Sequence, residues 1–235
     1  MTSKAVWLGV ALAVVANGAA ATAAEVRGTV RVVGAVPPPP VVAKTSKRGG
    51  SVEAGCGDPT MVSPRLLVAA DGGVRHAVVW MASAQAARPA PPTVLLDQRR
   101  CVFEPHVVTL PVGGEVAIRN SDSVLHNVRM FRGATMLMHA WQKVDAADLT
   151  WRLTEPGPHV VRCGVHPWMY AWVVVTPSRA AAVTDAAGQF TLAAVPAGRH
   201  QLYVWHETLG TLEVSVTIGE EEATPEPLIV WYRSR

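Results

Sequence analysis

The stretch that decides the fold is His159-Val160-Val161-Arg162, then Cys163-Gly164-Val165-His166-Pro167-Trp168-Met169, then Tyr170-Ala171-Trp172-Val173-Val174-Val175. Its two ends are short runs rich in β-branched residues, which favour extended backbone and are too short for helices. Between them lies a tight loop that carries a cysteine, a histidine and a methionine within seven residues. The local pattern is strand, loop, strand, with the chemically active side chains in the loop.

Further strand patterns surround this hairpin. They cover Val107 to Leu110, Glu115 to Arg119, His126 to Phe131 and Leu149 to Leu153, punctuated by Gly113-Gly114, Asn120-Ser121-Asp122 and Glu155-Pro156-Gly157-Pro158. Short strands at regular spacing with turn residues between them predict a β-sandwich. Met136 to Asp148 lacks the pattern and reads as a loop with one helical turn. Upstream, Glu25 to Val33 alternates as a half-buried strand, and Pro37 to Pro40 breaks it as an extended spacer. Residues 44 to 63 read as a polar, Gly-rich loop. Asp71-Gly72-Gly73 reads as a turn before a strand from Val74 to Trp80, and residues 82 to 92 as a connector. Downstream, Gln189 to Leu192, His200 to Trp205 and Leu212 to Ile218 form a third group of strands. Glu220-Glu221-Glu222 to Pro227 reads as an acidic, mobile tail. The whole chain is therefore all-β.

The chain has 235 residues, 49% apolar and only 17% charged, which suffices for a large core and excludes a disordered class. The net charge of +3 is scattered rather than gathered into a basic stripe, which argues against a nucleic-acid partner. Lys4, the apolar run Ala5 to Ala21 and the small residues Ala21-Thr22-Ala23-Ala24 make a secretory signal peptide, so the mature chain begins near residue 25. A retained membrane anchor is the alternative, but Asn17 and Gly18 break a run already short for a span. The mature protein, expected to lack a membrane span, then works in the periplasm or is secreted. Segments follow: 1–24 signal peptide, 25–97 N-terminal β segment, 98–177 central domain, 178–219 C-terminal β module and 220–235 tail.

The chemistry lies in four side chains. Cys163, His166 and Met169 come from the loop, and His126 comes from the start of another strand. Two imidazoles and a thiolate in a plane, with a weak thioether on the axis, are the donor set of a type 1 copper ion. Soft sulfur suits Cu(I) and imidazole suits both oxidation states, so little has to move when an electron arrives. A tight loop delivers three of the four donors to one point.

The region from about Phe103 to Thr176 resembles a cupredoxin with an amicyanin- or pseudoazurin-like ligand loop. Cys163-x-x-His166-Pro167-x-Met169 matches the loop, and His126-Asn127-Val128 matches the motif of the first histidine. The resemblance implies a Greek-key β-sandwich of cupredoxin-like type and one bound copper ion. It implies that Asn127 ties the two ligand loops together, that electrons pass through the edge of His166 at the surface, and that a redox partner protein binds transiently. The wider chain resembles secreted bacterial proteins of the methylamine-utilisation type, which carry a carboxypeptidase-regulatory-like module. That match rests on Thr184-Asp185-x-x-Gly188-x-Phe190-x-Leu192, Val195-Pro196-x-Gly198 and Trp205-His206-Glu207. It does not make methylamine the fuel here.

Three cysteines then divide into two and one. In an oxidising compartment Cys56 and Cys101 are expected to form a disulfide, while Cys163 is kept for the metal. The alternative is a second metal site that uses Cys101 and His106. His106 otherwise reads as a surface or supporting residue, and His206-Glu207 as a hydrogen-bonded structural pair. His139 with Met130, Met136 and Met138 could load Cu(I), or could belong to an apolar loop. Pro167 and Trp168 either form a docking face or pack inward. No catalytic triad, phosphate loop or paired-carboxylate motif is present, so the expected role is single-electron transfer rather than enzyme catalysis. The rival reading is copper storage or delivery.

Overall fold

The computed structural model describes residues 24–45, 53–82, 92–219 and 228–233. The expected signal peptide, parts of the loop and the connector, and Glu220 to Pro227 lie outside the described residues. Two β-sandwiches and a small two-stranded sheet make up most of the rest; in the latter Val41–Ala43 pairs with Thr60–Val62, so the end of the expected loop is a strand. The expected all-β, Greek-key sandwich with flanking strands is what is seen.

The central sandwich packs a five-stranded sheet on a four-stranded one. The first runs Thr135–Gln142, His126–Arg132, Gly157–Cys163, Tyr170–Thr176 and Val107–Pro111 in spatial order. The second runs Leu149–Arg152, Glu115–Asn120, Thr93–Arg99 and Val102–Glu104. Their inward residues, among them Leu96, Phe103, Leu110, Ile118, Val128, Met130, Val161 and Val173, form one apolar core. Burial of these side chains contributes roughly 1.5–3 kcal/mol each. Tyr170–Thr176 pairs antiparallel with Gly157–Cys163 on one side and parallel with Val107–Pro111 on the other. That central position explains its nearly unbroken apolar run.

Two features of this sandwich escape the sequence pattern. Thr135–Gln142 is an edge strand, not a loop. Its polarity is inverted: Gln142 is fully buried, while Met136 and Trp141 are exposed. Gln142 is tolerated inside because it accepts from Gln98 Nε2 at 2.6 Å and donates to the Ile118 carbonyl at 2.8 Å. The second feature is the hairpin that joins Thr93–Arg99 to Val102–Glu104. Its two loop residues, Arg100 and Cys101, have φ of 51° and 55° without glycine or asparagine. The Asp122 carboxylate accepts both of their backbone N–H groups, at 2.5 and 2.9 Å, which stabilises a turn the local sequence does not favour.

The flanking segments build the other sandwich together. Ala24–Val33 lies between Gln189–Val195 and Leu228–Arg233, and pairs with the latter in parallel. The facing sheet runs Ala181–Val183, Val78–Met81, Gly198–His206 and Gly210–Ile218. Val26, Val30, Val79, Met81, Phe190, Leu192, Leu202 and Val204 fill the space between. The chain thus leaves this sandwich after Met81 and returns to it after Thr176. Val78, Val107, Val174 and Trp205 pack the two sandwiches together.

Candidate metal centre

Cys163 ends the strand Gly157–Cys163, and the loop after it is closed by its own backbone. Met169 N–H donates to the His166 carbonyl and Cys163 N–H to the Met169 carbonyl, each at 3.0 Å. Gly164 N–H donates to the Asn127 carbonyl at 2.7 Å, which fastens this loop to the strand that carries His126. A glycine is required at 164, because a Cβ there would lie 2.1 Å from Asn127 Oδ1. The loop that presents Cys163 and His166 therefore cannot slide along the strand that presents His126.

The three donors converge. Cys163 Sγ lies 3.6 Å from His126 Nδ1 and 3.6 Å from His166 Nδ1, and the two Nδ1 atoms are 3.1 Å apart. The point equidistant from them lies about 2 Å from each, the length of a metal–nitrogen bond. Two imidazole lone pairs and a thiolate this close repel unless a proton or a cation stands between them. The donor set is one that could hold a metal ion. All three residues are buried, and Met169, in the same loop, is 1% exposed.

The outer nitrogen of His126 is fixed by a carboxylate. His126 Nε2 donates to Asp122 Oδ2 at 2.9 Å, which leaves Nδ1 free for the centre. Asp122 is held in place in turn by Asn120, whose Oδ1 accepts its N–H at 3.0 Å. Burial alone would push His126 down, but its bonds to Asp122 and Cys163 raise it to about 9. Burial alone would push the Cys163 thiol up. The bonds to His126 and His166 and the backbone N–H groups of Asn127 and Val165 bring it down to about 5. Sequence reasoning missed Asp122, although an acid four residues before a ligand-type histidine was there to be read.

His166 departs from the expectation of an exposed edge. It is 2% exposed. Its Nε2 faces Cys56 Sγ and Glu53 Oε2, each at 3.8 Å. The short 3-10 turn Ala54–Cys56 covers it and is joined to Cys101 by a disulfide with S–S 2.00 Å. Lys44 Nζ ties this cover down by donating to the carbonyls of Cys56 and Arg100, both at 2.9 Å. The 45-residue separation of the two cysteines makes the cross-link worth about 4 kcal/mol in the loop-entropy account.

The remaining candidates are distributed as follows. Asn127 reaches the ligand loop through its backbone, while its side chain bonds His139 Nε2 at 2.8 Å and accepts from Arg129 Nε at 2.8 Å. Met130 and Met138 are buried in the core, but Met136 and His139 are exposed, so the methionines do not gather around His139. Cys101 is in the disulfide and His106 bonds Glu207 Oε1 at 2.5 Å, so those two do not meet as ligands. Glu207 thus pairs with His106 and not with its neighbour His206, whose Nδ1 accepts from the N–H groups of Thr208 and Leu209. Pro167 is exposed. Trp168 points inward and donates from Nε1 to the Cys101 carbonyl at 2.9 Å.

No family model matches the chain, and no curated protein does. Solved structures do match part of it. One is a reduced Cu(I) form of an amicyanin variant at pH 4, with 23% identity, TM-score 0.33, and coverage of 41% of this chain and 97% of that one. A pseudoazurin from Sinorhizobium meliltoi has 20% identity and TM-score 0.30, over 36% of this chain and 73% of that one. A purple cupredoxin from Nitrosopumilus maritimus has 21% identity and TM-score 0.30, over 35% of this chain and 98% of that one.

Proposed function

We propose that this protein binds one copper ion in a type 1 site and carries single electrons between redox partners. His126, Cys163 and His166 hold the metal and Met169 is its axial donor. The observation that carries this reading is the convergence of two Nδ1 atoms and one thiolate within 3.1 to 3.6 Å of one another. Copper bound there supplies a one-electron couple. The chain supplies the donors, holds them still through Asn127, Gly164 and Asp122, and excludes water. A fixed, dry donor set lowers the rearrangement that accompanies each electron, and it supports cycling over release of copper to another protein. The four protein donors leave no position for a substrate on the metal, which favours a carrier over an enzyme.

The place of work in this reading is the periplasm or the exterior. The signal-like N-terminus and the Cys56–Cys101 disulfide support an oxidising compartment. Among the described residues no helix is long and apolar enough to cross a membrane. The flanking sandwich, with its regulatory-module motif, serves to stabilise the copper sandwich and to dock partners.

Copper reconstitution of the mature protein tests the proposal. An intense thiolate-to-Cu(II) band in the visible, lost in Cys163→Ser, is the expected result. A colourless protein that holds one tightly bound zinc ion would overturn it.

A further inference from the structure

We propose that a small aromatic reductant of the hydroquinone class docks in the cleft beside Trp168, and that its electrons reach the metal-binding set through Trp168 rather than through the edge of His166. This inference rests on the copper reading above.

The outer edge of His166 is closed by Cys56 and Glu53. Another side of its ring is not closed by that cover. Trp168 lies against it, with ring centroids 5.1 Å apart and the planes inclined by 47°. Trp168 and Met169 in turn line a cleft of about 600 Å³, whose other walls include Met61, Phe103, His76 and Tyr170. One indole therefore separates a ligand histidine from open space.

The cleft suits a flat molecule with polar ends. A concavity of a few hundred Å³ with apolar and aromatic walls and a few polar heads is the usual form of a small-molecule site. Redox proteins instead meet over spread patches of several hundred Å² on each side. Met61, Phe103 and Trp168 supply the apolar walls. The exposed side chains of Arg75 and Arg99, with Glu104, supply polar heads at the rim, and His76 and Tyr170 form a wall packed on His106. Its ring lies 5.1 Å from that of His76 and 5.0 Å from that of Tyr170, and Glu207 fixes it by a 2.5 Å bond. His76 adopts φ of 68°, a conformation rare for a side chain of this size and common where a site imposes geometry.

The step balances with copper as the only oxidant. Hydroquinone gives one electron, through Trp168, to Cu(II) held by His126, Cys163 and His166, and releases a proton to water in the cleft mouth. The resulting semiquinone gives its electron in the same way to a second oxidised molecule and releases its proton to water. One hydroquinone thus becomes one quinone as two Cu(II) become two Cu(I) and two protons leave. Trp168 bridges the two redox centres and is itself neither oxidised nor reduced.

Stopped-flow reduction of the copper-loaded full chain, followed by bleaching of its visible band, tests the proposal. The rate with hydroquinone should saturate with concentration. Val102 also lines the cleft, outside the metal set; Val102→Trp, which fills the cleft, should slow the reaction about tenfold, while reduction by hexaammineruthenium(II) stays unchanged. Trp168→Leu should slow hydroquinone similarly with the band intact, and Trp168→Phe should restore most of the rate. A linear dependence on hydroquinone, equal in the wild type and in Val102→Trp, would overturn the proposal. Hydroquinone binding to the metal-free protein is also read by titration calorimetry, where Val102→Trp should abolish the saturable heat. Absence of the visible band marks failure of the copper reading, and absence of saturable binding to metal-free protein marks failure of the cleft.

Discussion

Among the described residues, two clusters of buried or half-buried histidines are built on opposite principles. His126 and His166 turn their Nδ1 atoms to one thiolate, in the loops at one end of the central sandwich. His76, His106 and His206 gather where the sandwiches meet, with Glu207 and Tyr170 among them. In the first cluster, charged partners overcome burial: His126 rises to about 9 and the Cys163 thiol falls to about 5. In the second, burial prevails at two histidines, and His76 and His206 are both pushed down to about 4. Both hold several histidines with little exposure. Only the first directs three donor atoms to one point, and convergence of donors is what a metal site needs.

The largest effect should come from breaking the convergence. Cys163→Ser keeps the size and burial of the side chain but removes the thiolate. It should abolish stoichiometric copper binding, measured by metal analysis after gel filtration, with little change in the urea midpoint. The mirror experiment is Glu207→Ala. It leaves His106, 7% exposed, without its hydrogen-bond partner. Leaving a buried donor without its acceptor costs about 1–3 kcal/mol. The urea midpoint should drop accordingly while copper stoichiometry stays at one. If Glu207→Ala released copper, or Cys163→Ser unfolded the chain, the division between a metal cluster and a structural cluster would fail.

The same contrast explains what was legible in the sequence. The strands around Cys163 could be read because their apolar residues point inward. Thr135–Gln142 could not, because Gln142 points inward and Trp141 outward. Within the site, Cys163 and His166 are close in sequence, so their spacing could be read. Asp122 acts on Arg100, Cys101 and His126 together, and two of those contacts span more than twenty residues. The cover over His166 comes from Glu53 and Cys56, more than a hundred residues away, and only the fold brings it there. The family pattern of an exposed histidine edge carries no information about such an added segment.

A smaller effect separates the clusters by pH. His76 and His206 have folded values of about 4 against an ordinary 6.5, because burial disfavours their charged forms. Between those values the unfolded chain binds protons that the folded chain does not, so stability is lost as pH falls from about 6.5 to 4. Urea midpoints at stepped pH should decline through that window. His206→Gln should flatten the decline. A slope that His206→Gln leaves unchanged would show that this cluster does not govern acid sensitivity.

The smallest effect is expected where the two principles meet, at Asp122. Its carboxylate belongs to the metal cluster through His126 Nε2, yet it also holds the Arg100–Cys101 turn, from which the disulfide to Cys56 starts. Asp122→Asn keeps the shape and one acceptor oxygen but removes the charge. The turn should persist, because a single amide oxygen can still accept one of the two N–H groups. His126 loses the carboxylate that makes its Nδ1 a stronger donor, and changes of this kind lower metal affinity about 10- to 100-fold. Competition with a copper chelator measures that loss, and a redox titration measures its companion. Removing a nearby negative charge favours Cu(I) over Cu(II), so the midpoint potential should rise. Asp122→Ala separates the two roles. It should weaken copper binding at least as much, and it should also lower the thermal midpoint, because both turn N–H groups then lose their acceptor. Equal thermal midpoints in the two variants would place Asp122 in the metal cluster alone.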